Sequence, residues 1–498
     1  MKKGALKKFV VPPLGGFVGT ALRANRLKAG LHTFACIMLT MSCAVAAKPN
    51  VVIIMVDDLG AEGVGCYGNT GYSTPNIDRL ASQGARFNNA YGTPSCSPSR
   101  AMILSGLYTN RSGILERLGS GTPNCLPGHI PTFADLFQKN GYRTGIAGKW
   151  HLGDFDFYPD HPTSHGFDDY FMWLKNYDFV THERYYDPVV WQDQKITTYD
   201  GKYGPDLYCE FICNFIEENK ERPFLAYYPM ALVHKEFHQP PKLEGIKHFL
   251  PESAASVDKT FGLMVAYTDL LVGRIMDKLD ELGLTENTLL IFTADNGTPN
   301  AITCRLGDQK VKGGKLSLIE SGYRVPYIAR WPGKIPVGVC DAFFTHADLF
   351  PSLAGLTGLP MDYDVSGMDL SHNFLNTAGK DRDFIYLGWE GGLYMVRDKR
   401  FRLHEDGRFY DIPVTSNEAR YSEKKVSPAD FPEASQRLQT AMAEYMKIKQ
   451  TDTSYSIIPF KGYKKYKKEA AAKAGTTSRK KTKMRDKKKK TVNKKESI

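Results

Sequence analysis

The sequence predicts an α/β fold, a sheet under helices followed by a smaller antiparallel subdomain, and three observations carry that prediction. Pro49-Asn-Val-Val-Ile-Ile-Met-Val56 holds a continuous, largely β-branched apolar run from Val51 on, the mark of a strand buried on both faces, as in parallel sheets covered by helices. Further strand-like runs at 143–147, 224–228 and 288–293 alternate with helical periodicities at 76–83, 130–140, 208–219 and 257–282, and that alternation is the pattern of an α/β sheet. From about Asp383 the texture changes to short strand-like pieces at 384–388, 393–397, 401–404 and 408–410, followed by a helix at 434–447. This predicts an antiparallel sheet with one helix packed on it.

The chain has 498 residues, 42% hydrophobic and 24% charged. That is the composition of a globular protein, long enough for more than one core, since single cores rarely exceed about 250–300 residues. Its net charge of +11 is unevenly spread. Residues 461–498 hold 17 Lys or Arg against 3 acids, and the first 48 residues hold 8 and no acid. An acidic body of about −11 therefore lies between two basic ends, so the overall charge is no argument for nucleic-acid binding by that body.

Residues 1–46 read as an export signal. Lys2, Lys3, Lys7, Lys8, Arg23, Arg26 and Lys28 make a long positive region, residues 31–43 an apolar one, and Ala44-Val45-Ala46 a small-x-small cleavage site. Cys43 offers lipid anchoring as the alternative, although Thr40 stands where a lipobox has Leu. The expected boundaries are 1–46 signal, 48–380 main α/β domain, 381–460 subdomain, and 461–498 a Lys-rich tail that cannot bury a core. Beyond the signal lie seven cysteines, Cys66, Cys96, Cys125, Cys209, Cys213, Cys304 and Cys340. An odd number in an exported protein points to one with a separate fate.

Functional groups in such sheets gather beyond the carboxyl ends of strands. Asp57-Asp58 follows the first buried run and Asp295-Asn296 follows the run at 288–293. Adjacent acids there are costly without a compensating cation, and this all-oxygen set suits Ca²⁺ or Mg²⁺ rather than Zn²⁺. Any one of these residues could equally cap or turn the chain. Cys96-Ser-Pro-Ser-Arg100 sets a thiol beside an Arg at a helix start, either an activated thiolate or a small buried residue. In Gly148-Lys149-Trp-His151 the cation and imidazole would face one way on a strand-like segment. Lys315 follows a Gly pair that lets backbone approach closely, and His234 follows the run at 224–228. Together these groups describe an anion site: a divalent cation and several cationic or imidazole donors around one nucleophile, as sulfuryl or phosphoryl transfer needs.

The same residues resemble the sulfatases of the alkaline-phosphatase superfamily. Cys96, Pro98, Ser99 and Arg100 match the Cys-x-Pro-Ser-Arg signature, and Gly141-Tyr-Arg-Thr144 with Gly148-Lys-Trp-His-Leu-Gly153 match the second one. Residues 50–58, Thr74-Pro-Asn-Ile-Asp-Arg-Leu80, His165-Gly-Phe-Asp168, Phe292-Thr-Ala-Asp-Asn-Gly297 and residues 312–326 extend the resemblance over about Pro49 to Glu418. It implies an alkaline-phosphatase-like mixed, mostly parallel sheet. It also implies that a maturation enzyme reading Cys96, Pro98 and Arg100 oxidises Cys96 to Cα-formylglycine (3-oxoalanine). One hydroxyl of the hydrated aldehyde would attack sulfur to leave a sulfated enzyme, and deprotonation of the other would expel sulfate.

By the same resemblance Asp57, Asp58, Asp295, Asn296 and residue 96 would hold Ca²⁺, and Arg100 and Lys149 would hold the hydrate. His151 would assist deprotonation of its second hydroxyl. His234 and Lys315 would grip the sulfate and protonate the leaving oxygen. Two stretches depart from the family pattern: Leu232-Val-His-Lys-Glu236 replaces a Pro-His-x-Pro-like context, and Glu320-Ser-Gly-Tyr323 replaces Glu-Gly-Gly. Trp173, Lys175, Tyr177, His182, Arg184, His238 and Trp389 are candidates to line a sugar cleft. Alternatives are a phosphonate or phosphate ester hydrolase on the same site, or a non-catalytic polyanion-binding protein.

Overall fold

Strand β1 (Asn50–Val56) is buried along its whole length and sits inside a ten-stranded sheet. The computed structural model describes residues 48–118, 122–177, 180–242, 253–389 and 393–448; the expected export signal and Lys-rich tail lie outside the described residues. The other strands of the sheet are β2 (Ala85–Tyr91), β3 (Arg143–Gly148), β4 (Asp169–Trp173), β5 (Val189–Gln192), β6 (Lys195–Thr198), β7 (Phe224–Pro229), β8 (Thr288–Ala294), β9 (Tyr327–Arg330) and β10 (Gly338–Thr345). Their order is β10-β2-β9-β8-β1-β7-β3-β4-β5-β6. The five central strands, β8-β1-β7-β3-β4, run parallel, while β9, β5 and β6 pair antiparallel with their neighbours. The predicted mixed, mostly parallel sheet is therefore present.

Helices cover both faces of the central strands, since β1, β7 and β8 are buried at every residue. α1 (Pro75–Ser82), α4 (Gly204–Glu218) and α5 (Ser256–Glu281) pack together, as do α2 (Cys96–Ser105), α3 (Phe133–Lys139) and α6 (His346–Thr357). The expected helix at 130–140 starts at Phe133. Thr132 caps it by accepting from Ala134 N and Asp135 N, while the Asp135 side chain accepts from the Thr132 N–H. Among the described residues no helix is long and apolar enough to cross a membrane.

The C-terminal part is a five-stranded antiparallel meander: β11 (Ile385–Trp389), β12 (Leu393–Arg397), β13 (Phe401–His404), β14 (Phe409–Asp411) and β15 (Lys424–Lys425). Helix α7 (Pro432–Lys447) packs on β12 and β13. Its core is shared with the main sheet, because Leu387, Val396, Leu438 and Tyr445 join one apolar cluster with Tyr91, Met102 and Phe343.

Candidate active site

Register builds the site. Val56 pairs with Ala294 at the last step of β1 and β8, so Asp57-Asp58 and Asp295-Asn296 leave the sheet side by side. On the other flank of β1, Met55 pairs with Pro229 of β7, and Tyr227 of β7 pairs with Ile146 of β3. The chain beyond β7 stays zipped to β1: Asp57 N donates to Leu232 O at 2.7 Å and Val233 N to Asp57 O at 2.7 Å. That brings His234 to the acids, with its Nε2 3.8 Å from Asp58 Oδ2.

The four oxygen-bearing residues are buried and tied together. Asp58, at φ 68°, donates its N–H to Asp295 Oδ1 at 3.0 Å, and Asn296 Nδ2 donates to Asp58 Oδ1 at 2.8 Å. Cations surround them. Lys149 Nζ is 2.5 Å from Asp57 Oδ2. Arg100 donates to Asp295 Oδ2 from Nε at 3.0 Å and to the Lys149 carbonyl from Nη1 at 2.8 Å. Lys315 Nζ contacts Asp58 Oδ1 and lies 3.6 Å from Cys96 Sγ.

Cys96 is the first residue of α2 and is buried. The loop before it is fixed locally: Thr93 N donates to Ser99 Oγ at 2.7 Å and Thr93 Oγ1 to Ser95 O at 2.8 Å. Leu316 N donates to Pro94 O at 2.8 Å, which clips the Lys315 loop to the Cys96 loop. Among the described residues no disulfide is present, and their seven cysteines are free thiols.

Burial alone would raise the Asp57 carboxyl, but the charges of Lys149, His234, Arg100 and Lys315 outweigh it and hold it well below the usual carboxylate range. Asp295 goes the other way: burial and the adjacent Asp57 charge push it up to about 7. Burial and the Lys175, Lys149 and Arg100 charges keep His151 well below the ordinary imidazole value. His234 is lowered as well, by burial and by Lys149 and Lys315, against the pull of Asp57.

Asp57 Oδ1, Asp58 Oδ2 and Asn296 Oδ1 are buried without a hydrogen-bond partner, and such atoms are costly unless something else satisfies them. Asp57, Asp58, Cys96 and His234 place donor atoms within 4.8 Å of one another. Asp295 turns its oxygens to Asp58 N and Arg100. Converging orphaned hard oxygens fit a divalent cation of the Ca²⁺ type.

One expectation is corrected. Lys149 and His151 do not share a strand face, because β3 ends at Gly148 and His151 takes a left-handed conformation, φ 58°. The two diverge: Lys149 reaches Asp57, while His151 Nδ1 lies 3.4 Å from Ser97 Oγ and its Nε2 3.0 Å from Lys175 Nζ.

Beside Cys96 opens a cavity of about 380 Å³, lined among others by Arg117, His234, Lys235, Phe237, Asn300 and Leu316. Apart from His234 these residues were not singled out from sequence; they sit in loops without periodicity and converge only in the fold. Of the proposed cleft residues, Trp173 and Lys175 line a small pocket next to His151. Arg184 stacks on Trp173 and Tyr185, His238 packs on Tyr185, and Trp173 Nε1 donates to His182 O. Tyr177 stacks on Trp191, and Trp389 is buried in the C-terminal sheet.

Comparison with known proteins agrees with this geometry. The family model described as Sulfatase matches residues 49–359. Arylsulfatase A of Homo sapiens is 32% identical over 404 residues, 74% of this chain and 76% of that protein. N-acetylgalactosamine-6-O-sulfatase of Bacteroides thetaiotaomicron is 33% identical over 420 residues, 68% of this chain and 78% of that protein. Among solved structures, Ps i-CgsB in complex with k-i-k-neocarrahexaose superposes with a TM-score of 0.71 at 25% identity, over 85% of this chain and 98% of that one.

Proposed function

The chain belongs to the sulfatase family and is a sulfuric ester hydrolase; on that premise we propose that it works through a Cα-formylglycine formed from Cys96 beside a bound Ca²⁺. The observation that carries this reading is the position of Cys96. It starts a buried helix with Lys315 Nζ 3.6 Å away and shares a 4.8 Å cluster with Asp57 and Asp58, next to their orphaned oxygens.

When formed, the aldehyde hydrate supplies two hydroxyls, one to attack sulfur and one whose deprotonation releases sulfate. Asp57, Asp58, Asn296, Asp295 and residue 96 would hold the cation, which when bound neutralises the carboxylates and polarises the oxygen on residue 96. Arg100, fixed by Asp295 and the Lys149 carbonyl, and Lys149, fixed on Asp57, put positive charge where negative charge develops. Lys315 bridges Asp58 and residue 96 and so reaches the sulfate oxygens. His234 faces the cavity and is placed to protonate the leaving oxygen. A bound sulfate would offset the cationic neighbours that weaken its hold on a proton. His151 assists deprotonation at residue 96.

A sulfated saccharide is the proposed substrate class. It is supported by the bacterial relative named for N-acetylgalactosamine-6-O-sulfate and by the fold neighbour that holds neocarrahexaose. Export is supported by the charged, apolar and small-residue pattern of residues 1–46. The partner in maturation is the enzyme that oxidises Cys96.

The test has three arms. The tryptic peptide bearing residue 96, isolated from the native host, should weigh about 18 Da less than the thiol form. The matured protein should hydrolyse an aryl sulfate with higher kcat/KM than the matching aryl phosphate. Chelation should lower both activity and Tm, and Ca²⁺ should restore them. An unshifted peptide together with a preference for the phosphate ester would overturn the reading.

A further inference from the structure

Lys175 meets His151 because of strand register. β3 and β4 are parallel with Gly148 opposite Met172, and His151 and Lys175 each lie three residues beyond that pair. Lys175 Nζ stops 3.0 Å from His151 Nε2, in the small pocket that Asp154, Trp173 and Asn176 also line.

With Lys175 as the ammonium, the contact sets the proton positions on the ring. An ammonium has donors only, so Nε2 accepts and the imidazole hydrogen sits on Nδ1. Nδ1 faces Ser97 Oγ at 3.4 Å. Ser97 can take that hydrogen, because its own hydroxyl donates to the His151 carbonyl at 3.1 Å while it accepts Leu118 N–H at 3.1 Å. Every atom from Lys175 through His151 to Ser97 thus has one consistent role, and Ser97 is the immediate neighbour of residue 96.

Resting on the function proposed above, we propose that Lys175 is a positioning residue for sulfate-ester hydrolysis, holding His151 as the neutral Nδ1–H tautomer with its ring against Ser97. In this tautomer Lys175 occupies the ring's one lone pair, so His151 aids deprotonation at residue 96 not as the base but by turning its positive Nδ1–H edge toward Ser97 beside that residue, and a cation against Nε2 disfavours the imidazolium. The charges of Lys149, Arg100 and Arg117 act in the same sense. Burial and the Lys149 charge lower Lys175 itself to about 7, against the pull of Asp154 and Cys96.

The test is a cycle of Lys175→Met, His151→Ala and the double variant in the full chain. Each is matured to formylglycine, with conversion of residue 96 verified by mass and kinetics followed on an aryl sulfate. Lys175→Met should lower kcat about 10- to 100-fold with KM within about twofold, and Lys175→Arg, which keeps a donor, should recover most of it. In the His151→Ala background the Lys175→Met change should cost little more. Full additivity, an unchanged kcat, or an effect confined to KM would each overturn the inference. Should Lys175→Met not fold, Lys175→Gln, which removes the cation, carries the same comparison with and without His151. Absence of sulfatase activity in fully converted wild-type protein would instead sink the underlying function.

Discussion

Lys315 Nζ lies 3.6 Å from Cys96 Sγ and is anchored from the other side by Asp58. The pairing is rigid because the residue after Lys315 donates its N–H to Pro94, two residues before Cys96. Lys315→Ala should therefore remove a preorganised charge without moving residue 96. Loss of one such group costs about 10²- to 10³-fold in kcat, and steady-state rates on an aryl sulfate should fall in that range. A loss below tenfold would show that Lys315 serves Asp58 alone.

Gly148 is where β3 hands the chain over to Lys149. Its φ is 118°, and a Cβ there would lie 2.2 Å from the Pro229 carbonyl oxygen, the same oxygen that accepts the Lys149 N–H at 2.7 Å. Gly148→Ala should break that hydrogen bond, cost more than about 2 kcal/mol, and swing Lys149 off Asp57. Gly141→Ala is the control, since its φ is also positive, 78°, but nothing lies within 4 Å of the added Cβ. Urea unfolding of the two variants separates close approach from backbone strain; equal losses would contradict the argument.

What could be read in the sequence follows from burial. β1, β7 and β8 were legible because strands buried on both faces are almost purely apolar. β2 (ARFNNAY) and β10 (GVCDAFFT) mix polar and apolar residues without a clean period, and pairing on the flank of the sheet makes them strands. α6 was hidden by Pro351 inside it. In the site, the acids, Arg100, Lys149, His234 and Lys315 stood out as charges beside strand ends or glycines. Ser97 and the Lys175–His151 contact did not, because a register pairing between β3 and β4 creates them and no local pattern encodes it. The strand-face reading of Lys149 and His151 failed for a related reason: it assumed that β3 continued past Gly148, whose positive φ ends it.

Glu320 and Arg397 form a buried ion pair between the segment after Lys315 and strand β12, and Tyr323 OH also donates to Glu320 Oε1 at 2.7 Å. Burial would raise the Glu320 carboxyl, but the Arg397 and Arg324 charges win and lower it. Its stabilising contribution is therefore present above the unfolded value, near 4.5, and is lost as pH falls through the lower folded value. Arg397→Met should cost about 3–5 kcal/mol at pH 7, the usual result of stripping one partner from a buried pair. Adding Glu320→Gln should recover part of it. The deficit of the single variant should shrink below pH 4.5, where its carboxyl is protonated in both states; denaturant unfolding at pH 7 and pH 4 measures this, and a constant deficit would refute it.

Trp150, between Lys149 and His151, donates from Nε1 to His161 Nδ1 at 2.7 Å. His161 Nδ1 is then an acceptor, so the ring hydrogen is on Nε2 and donates to the Leu126 carbonyl at 2.8 Å. The ring has no room for a second proton, and His165 Nε2 stands 3.3 Å from His161 Nε2. Burial and then the His165 charge lower His161 to about 3. The folded state therefore refuses a proton that the unfolded state takes up near 6.5. Stability should be fully present above about 6.5 and lost progressively as pH falls from there toward 3. His346 and His404, each also lowered to about 3, add to the same limb, so the test is a difference curve. His161→Gln should be less stable than wild type at pH 7, having lost the Trp150 and Leu126 bonds, yet its Tm should decline less between pH 6.5 and 4. If the two curves run parallel through that window, His161 is not the group whose protonation loosens the Lys149–His151 turn.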